Sequence, residues 1–391
     1  MTHLTRDPSV DRLERNRLER LAQTLEKGKK ITTMSLIELG WNERLSALFE
    51  PYRSGGLSPA RVVAQHRGAY TVAGDMGELR AGVSGRFRHE AAGPAAYPTV
   101  GDWIALEPSG RRRGIIHAVL ERSTAFVRKT AGALTEAQVV ATNIDTVFLV
   151  VGLDGDFNLR RIERYLTAAW DSGASPVIVL NKSDLRDDLA GLVAEVESIA
   201  AGAPVVAVSA RDGSNLDALR AHISPGGTAA LLGSSGAGKS TLINRLLGED
   251  RQATGPVRES DSRGRHVTSR RELIALPGGG LLIDTPGMRE LQLWTEEESL
   301  GRTFEDIEEI AARCRFADCH HKEEPGCAIR EALANRSLDP ARFESYLKQR
   351  RELRHLELKQ DVRARRQSEK EFGRRMAALM KDVKLRKPNY W

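Results

Sequence analysis

The run Gly233-Ser234-Ser235-Gly236-Ala237-Gly238-Lys239-Ser240 has the spacing G-x-x-x-x-G-K-[ST]. An apolar stretch, Thr228 to Leu232, precedes it, and a helical pattern, Lys239 to Leu247, follows. In that context glycines let backbone N–H groups curl around phosphate oxygens. The Lys239 ammonium can reach β- and γ-phosphates, and the Ser240 hydroxyl can bind Mg²⁺. Thr241 extends the set at the helix N-terminus, where the backbone adds positive potential.

A phosphate loop does not choose a base. Asn181-Lys182-Ser183-Asp184 follows the apolar run Val177 to Leu180, at the strand end where an α/β sheet presents its ligands. The Asp184 carboxylate can accept from guanine N1–H and its 2-amine, a donor pair that adenine lacks. Asn181 can bond the other edge of the base and tie loops together, and the Lys182 stem can lie along the ring. Ser209-Ala210, after the run Pro204 to Val208, can offer a backbone N–H to guanine O6. Asp284-Thr285-Pro286-Gly287 follows Leu281 to Ile283. Asp284 can hold Mg²⁺ through water, and the Gly287 N–H can sense a γ-phosphate. Gly264-Arg265-His266-Val267-Thr268-Ser269 lies in a Gly/Ser/Arg-rich segment between phosphate loop and Asp284. It has the composition of a switch whose threonine closes over Mg²⁺.

These parts come in an unusual order. A GTPase usually runs phosphate loop, switch threonine, D-x-x-G, N-K-x-D and S-A. Here the base-reading motifs come first, so the order is circularly permuted and Asp284-to-Gly287 leads directly into the C-terminal segment. A nucleotide-dependent change at Gly287 would therefore pass to that segment through a short connection.

With short strands before the permuted order and a Cys/His loop after it, the chain resembles the ribosome small-subunit-dependent GTPase A family (RsgA/YjeQ-like). Val100-Gly101-Asp102-Trp103, Gly264-Arg265-His266 and Pro325-Gly326-Cys327-Ala328-Ile329-Arg330 also carry the likeness. It implies an N-terminal OB-fold β-barrel, a central circularly permuted P-loop GTPase α/β domain and a C-terminal α-helical zinc-binding domain. It further implies binding to the small (30S) ribosomal subunit and its rRNA late in assembly, with GTP hydrolysis stimulated by the subunit. Consecutive threonines usual after the family histidine are replaced by Val267-Thr268-Ser269, and Thr268 is the favoured magnesium ligand. The position after D-x-x-G, often a glutamine that orients water, is Met288. Slow hydrolysis by the isolated protein is expected, with His266 the candidate for positioning water. The alternatives are a nucleotide-regulated RNA-binding module with negligible turnover, or a permuted GTPase serving another assembly.

Cys314, Cys319, His321 and Cys327 have the pattern C-x₄-C-x-H-x₅-C, which uses all three cysteines of the chain. Three thiolates and an imidazole close a tetrahedral zinc site with no open position, hence a structural one. By spacing His320 competes with His321; the resemblance implies His321.

The elements that must position these groups follow from patterning. Apolar runs at 146–151, 176–180, 204–208, 228–232 and 281–283 alternate with helical stretches such as 159–172 and 239–247, giving a mostly parallel sheet covered on both faces. Short strands at 61–65, 69–73, 79–83, 103–106 and 114–120 suit a small barrel or sandwich; an OB-type barrel, as the resemblance implies, has Tyr70, Phe87 and Trp103 as stacking candidates and Arg111-Arg112-Arg113 as a basic loop. Trp103, in an alternating strand, is weighed more heavily as core. The expected division is an extension over 1–56, the OB-fold over 57–130, the GTPase domain over 131–303, and the zinc-binding helical domain with a basic tail over 304–391. Residues 1–33 are charged, and Met34 is a conceivable start.

The 391 residues are 40% hydrophobic and 29% charged. No apolar run is long enough for a membrane span and no secretory signal is visible. Three cysteines do not make a disulfide framework. A cytoplasmic monomer is expected. From Ala341 to Trp391 the chain carries 16 Lys and Arg against 7 Asp and Glu, a net of +9 beside +6 for the whole, so everything earlier is net acidic. Such a tail fits rRNA phosphates.

Overall fold

A computed structural model describes residues 31–66, 68–110, 112–129, 137–155, 157–249, 271–284, 297–356 and 358. His266, Thr268, Ser269, Gly287, Met288, Arg111 and the tail from Arg363 lie outside the described residues. The chain divides into two compact units, Met1–Leu293 and Trp294–Trp391.

In the first unit, helix α1 (Glu43–Arg53) is capped by the Asn42 side chain, which accepts from the Leu45 N–H at 3.0 Å. Strands β1 (Ser58–His66), β2 (Ala69–Gly74), β3 (Gly77–Val83), β4 (Trp103–Pro108) and β5 (Arg113–Val119) follow. They pair in the order β1-β2-β3-β5-β4, and β4 returns to β1, closing a five-stranded barrel. The alternating residues put Val62, Val72, Ile104 and Ile116 inside, all fully buried. Helix α2 (Gly85–Glu90) sits between β3 and β4.

The stretch Val100 to Trp103 explains itself structurally. Gly101 has φ +98°, and a Cβ there would come within 2.1 Å of the Thr142 carbonyl oxygen. Only glycine allows that approach. Asp102, fully buried, forms a two-point ion pair with Arg122 at 2.8 Å and accepts from Thr142 Oγ1 at 2.7 Å. Trp103 is 1% exposed and Tyr70 is buried, so both fill the core rather than offer stacking faces, and Phe87 packs edge-on against Tyr97. Beside Trp103, the buried Arg61 donates to the carbonyls of Leu39, Gly101 and Asn143. Burial lowers its pKa to about 10, an effect offset in part by Asp145 and Asp102.

A two-stranded sheet of β6 (Ala125–Lys129) and β7 (Ala137–Thr142) leads to the α/β part. There β8 (Thr146–Gly152), β9 (Ser175–Asn181), β10 (Val205–Val208), β11 (Thr228–Leu232) and β13 (Leu281–Asp284) run parallel in the order β10-β9-β8-β11-β13. β12 (Arg271–Ala275) joins antiparallel to β13. β12 also pairs with β1 through Ala64↔Glu272 and Gln65↔Arg271, so barrel and parallel strands share one eleven-stranded sheet. Helices α3 (Leu159–Asp171), α4 (Leu189–Glu197), α5 (Leu216–Arg220) and α6 (Lys239–Leu247) complete this part. Two buried clusters cover the parallel sheet, one including Leu149, Ile162 and Leu180, the other Phe148, Leu242 and Leu246.

The second unit contains α7 (Glu297–Thr303), α8 (Glu305–Ala311), α9 (Ala328–Ala334) and a helix over 340–356, α10. Leu300, Phe304, Ile307, Ile329 and Tyr346 form its core. Arg342 clamps Asp306 with bonds of 2.8 and 2.7 Å and lies over the Phe304 ring. Among the described residues no helix is long and apolar enough to cross a membrane.

Candidate nucleotide-binding site and metal centre

Parallel strands bring their C-terminal ends to one side of a sheet, and the loops carrying the chemistry extend from that side. β11 ends at Leu232 and the phosphate loop Gly233–Ser240 turns from it into α6. The Lys239 ammonium donates to the Gly233 carbonyl at 2.6 Å and also to that of Ser234, inside the curl of the loop. β13 lies parallel beside β11 and ends on Asp284, which is therefore on the same side of the sheet. β9 ends on Asn181 and β10 just before Ser209, so Asn181-to-Asp184 and Ser209-Ala210 are neighbouring loops.

Asn181 joins three of these segments. Its Nδ2 donates to the Ala237 carbonyl at 2.8 Å, and its Oδ1 accepts from the Ala210 N–H at 3.0 Å. Phosphate loop, N-K-x-D loop and S-A loop are thus held by one side chain only 1% exposed. Gly238, at φ +91°, leaves room for it: a Cβ there would lie 2.2 Å from Asn181 Nδ2. Asp184 Oδ1 accepts from Ser209 Oγ at 2.7 Å, with Arg211 Nη1 3.9 Å from the second oxygen. A carboxylate so fixed presents acceptors at the mouth formed by these loops.

Two residues outside the motifs contribute. Lys182 has left-handed backbone geometry, φ +66°, and its ammonium pairs with Asp154 in the turn after β8. That turn is itself tied to β9, since the Leu153 N–H donates to the Asn181 carbonyl at 2.9 Å. Arg245 on α6 donates to the carbonyls of Ala210 and Arg211. Asp154 lies in an acidic turn and Arg245 in an ordinary amphipathic helix, so neither carries a spacing signal; only the convergence of loops singles them out.

In the second unit, the ligand atoms of Cys314, Cys319, His321 and Cys327 all lie within 4.8 Å of one another. Cys314 Sγ is 3.9 Å from Cys327 Sγ, and His321 Nδ1 is 3.7 and 3.5 Å from these sulfurs. Zinc bonds of ordinary length at tetrahedral angles imply about 3.8 Å between sulfurs and about 3.6 Å between sulfur and nitrogen. The donor set therefore fits that ion. Burial pushes the Cys314 thiol up, but the N–H groups of Ile329 and Ala328 at the start of α9, and the neighbouring thiols, outweigh it and hold it below its ordinary value. His321 turns through φ +60° to join the set, while His320 is exposed and faces Glu324 at 3.8 Å. The Glu324 carboxylate accepts from the N–H groups of His320, Lys322 and Glu323 at 3.0, 2.8 and 3.1 Å. The Glu324 backbone N–H above all, then those of His320, Lys322 and Glu323, hold its pKa down to about 2.

A parallel α/β sheet whose N-K-x-D and S-A loops precede its G-x-x-x-x-G-K-[ST] loop in the chain defines a circularly permuted P-loop GTPase. The RsgA GTPase family model matches residues 119–294. The Opitutus terrae protein "Small ribosomal subunit biogenesis GTPase RsgA" is 53% identical over 329 residues, which cover 82% of this chain and 90% of that one. The Streptomyces coelicolor protein of the same name is 45% identical over 346 residues, covering 88% and 93%. YjeQ from Thermotoga maritima has a solved structure that superposes with a TM-score of 0.58 at 27% identity, over 76% of this chain and 98% of that one. The chain belongs to the RsgA GTPase family and is a GTP hydrolase.

Proposed function

We propose that this protein binds the small ribosomal subunit and acts late in its assembly, with GTP hydrolysis stimulated by the subunit and driving release. Relatives named for small ribosomal subunit biogenesis support the partner. The observation that carries the guanine half is the Asn181 junction, which ties the N-K-x-D, S-A and phosphate loops together. Asp184 reads the 2-amine and N1–H of guanine, Lys182 covers a face of the base, and the S-A loop meets O6. Gly233, Ser234, Ser235, Gly236, Ala237, Gly238, Lys239, Ser240 and Thr241 hold the phosphates. Mg²⁺, held by Ser240 and Thr268 with Asp284 acting through water, neutralises charge on the β- and γ-oxygens. Gly287 senses the γ-phosphate, and His266 positions water where Met288 cannot.

GTP favours the RNA-bound conformation, and its loss favours release; this requires different GTP affinities in the two conformations. One structural zinc per chain holds Cys314, Cys319, His321 and Cys327. We assign the OB-fold to 57–130, the GTPase domain to 131–303 and the zinc-binding domain to 304–391. The barrel and basic tail contact rRNA, and the protein works as a cytoplasmic monomer. The test is turnover of GTP by the full chain with and without small subunits, using ATP as control. Large stimulation specific to GTP and to the small subunit is expected. GTP binding without stimulation would overturn the small subunit as the activating partner and favour a different partner or a nucleotide-regulated RNA-binding module.

A further inference from the structure

Arg245 stands on α6, six residues beyond the phosphate-loop lysine and outside every motif. Its Nε donates to the Ala210 carbonyl at 3.0 Å, and its Nη2 donates to the next carbonyl, that of Arg211. A guanidinium suits this task, since its donors form a rigid planar fork and its charge persists at every working pH. The Arg245 carbonyl in turn accepts from Arg220 Nη2 at 3.2 Å, and Arg220 pairs with Asp217 at 2.8 Å. The turn of α6 that carries Arg245 is therefore braced against α5, the helix that follows the S-A loop.

The consequence lies in the peptide between Ala210 and Arg211. In a trans peptide the C=O and N–H point in opposite directions. Holding the Ala210 carbonyl on Arg245 thus sends the Arg211 N–H away from α6. The preceding donor, the Ala210 N–H, is already used by Asn181 Oδ1. Among the described residues the Arg211 N–H has no partner. We infer that Arg245 is a positioning residue for guanine selection: by fixing the Ala210 and Arg211 carbonyls it aims the Arg211 N–H at the oxygen on carbon 6 of the base. Adenine carries an amine there, itself a donor, which an aimed N–H opposes. The inference rests on the proposed assignment of Asn181 to Asp184 as the base-reading loop.

The experiment measures Kd for GTP, ITP and ATP by competition with fluorescent GDP, for the full-length protein and for Arg245→Met and Arg245→Lys. Inosine keeps the 6-oxygen and lacks the 2-amine, so it separates the two edges of the base. Arg245→Met should weaken GTP and ITP together by about tenfold, the scale of a lost charge-assisted hydrogen bond, and leave ATP unchanged. Arg245→Lys, which cannot span both carbonyls, should weaken them by about threefold. Ratios taken within one preparation do not depend on the folded fraction, so misfolding cannot imitate this pattern. An equal loss for all three nucleotides, or no change, overturns the inference. Asp184→Asn tests the reading beneath it and should move the preference from GTP toward XTP. If it does not, the base-reading assignment falls and the Arg245 inference with it; if it does while Arg245→Met leaves the ratios flat, only the Arg245 inference falls.

Discussion

At the nucleotide site, loops project from strands buried on both faces, and their junction is a side chain only 1% exposed. In the segment from Cys314 to Cys327, Arg315, Phe316, His320 and Lys322 are exposed, and Cys327 alone among the four metal-ligand candidates is buried. The first region is held by its own hydrogen bonds and packing. The second has little apolar burial of its own, and the convergence of three sulfurs and a ring nitrogen is its main internal constraint. The difference is between loops preorganised by a large core and a loop with little core of its own, whose clustered donors are arranged as an ion would require.

The largest expected effect breaks that contrast on the metal side. Cys327→Ser should abolish stoichiometric zinc and cost the C-terminal unit its cooperative fold, since structural zinc supplies folding free energy outright. Zinc analysis and a circular-dichroism melt check this, and a variant that keeps one zinc and its melting temperature would refute the ligand assignment. GTP binding to the first unit should persist in the same variant.

Next comes the nucleotide side. Asn181→Ala strands the Ala237 carbonyl and the Ala210 N–H together. Each unsatisfied buried group costs about 1–3 kcal/mol, so GTP should bind about a hundredfold more weakly while the melting temperature falls only modestly. Titration calorimetry with a parallel melt reads both. Unchanged affinity would show that the three loops are held without Asn181.

Two smaller effects sharpen the comparison. Asp154→Asn removes an ion pair between partly exposed groups, worth at most about 1 kcal/mol, so the GTP Kd should rise about two- to fivefold. Glu324→Gln weakens acceptance from three backbone N–H groups. Amide exchange at His320, Lys322 and Glu323 should quicken about two- to threefold, together with zinc release to a chelator. The sign with pH is fixed. A carboxylate held at about 2 contributes fully above its ordinary 4.5 and loses its contribution as pH falls between them, so the difference from the native protein should be flat from about pH 6 to 8. A difference that grows across that range would mean that another group carries it.

Much of this was legible in the residues. Thr228 to Leu232 and Lys239 to Leu247 are the observed β11 and α6, because a short apolar run bounded by glycines and a 3.6-residue period ended by Gly248 are local signals. The phosphate loop and the Cys/His spacing are local for the same reason. β12, by contrast, is five residues of mixed polarity, and its place depends on partners in β13 and in β1, the latter some two hundred residues away. Trp103 alternates with Ile104, which faces the barrel interior, so it points out of the barrel, where Trp41, with ring centroids 4.9 Å apart, and the Arg61 guanidinium cover it; the strand pattern favours core but does not specify these distant partners. Arg245 and Asp154 look like ordinary surface charges until β8, β9 and β10 bring their partners together.

The sequence by itself determined the kinds of chemistry available, the permuted motif order and most of the strands, since each depends on residue type at short spacing. Only the tertiary structure decided that barrel and parallel strands share one sheet, that Asn181 spans the phosphate and S-A loops, and that Arg245 grips two successive carbonyls. Those contacts join residues 29 to more than 200 positions apart, and no short-range pattern specifies which distant backbone group a side chain will meet.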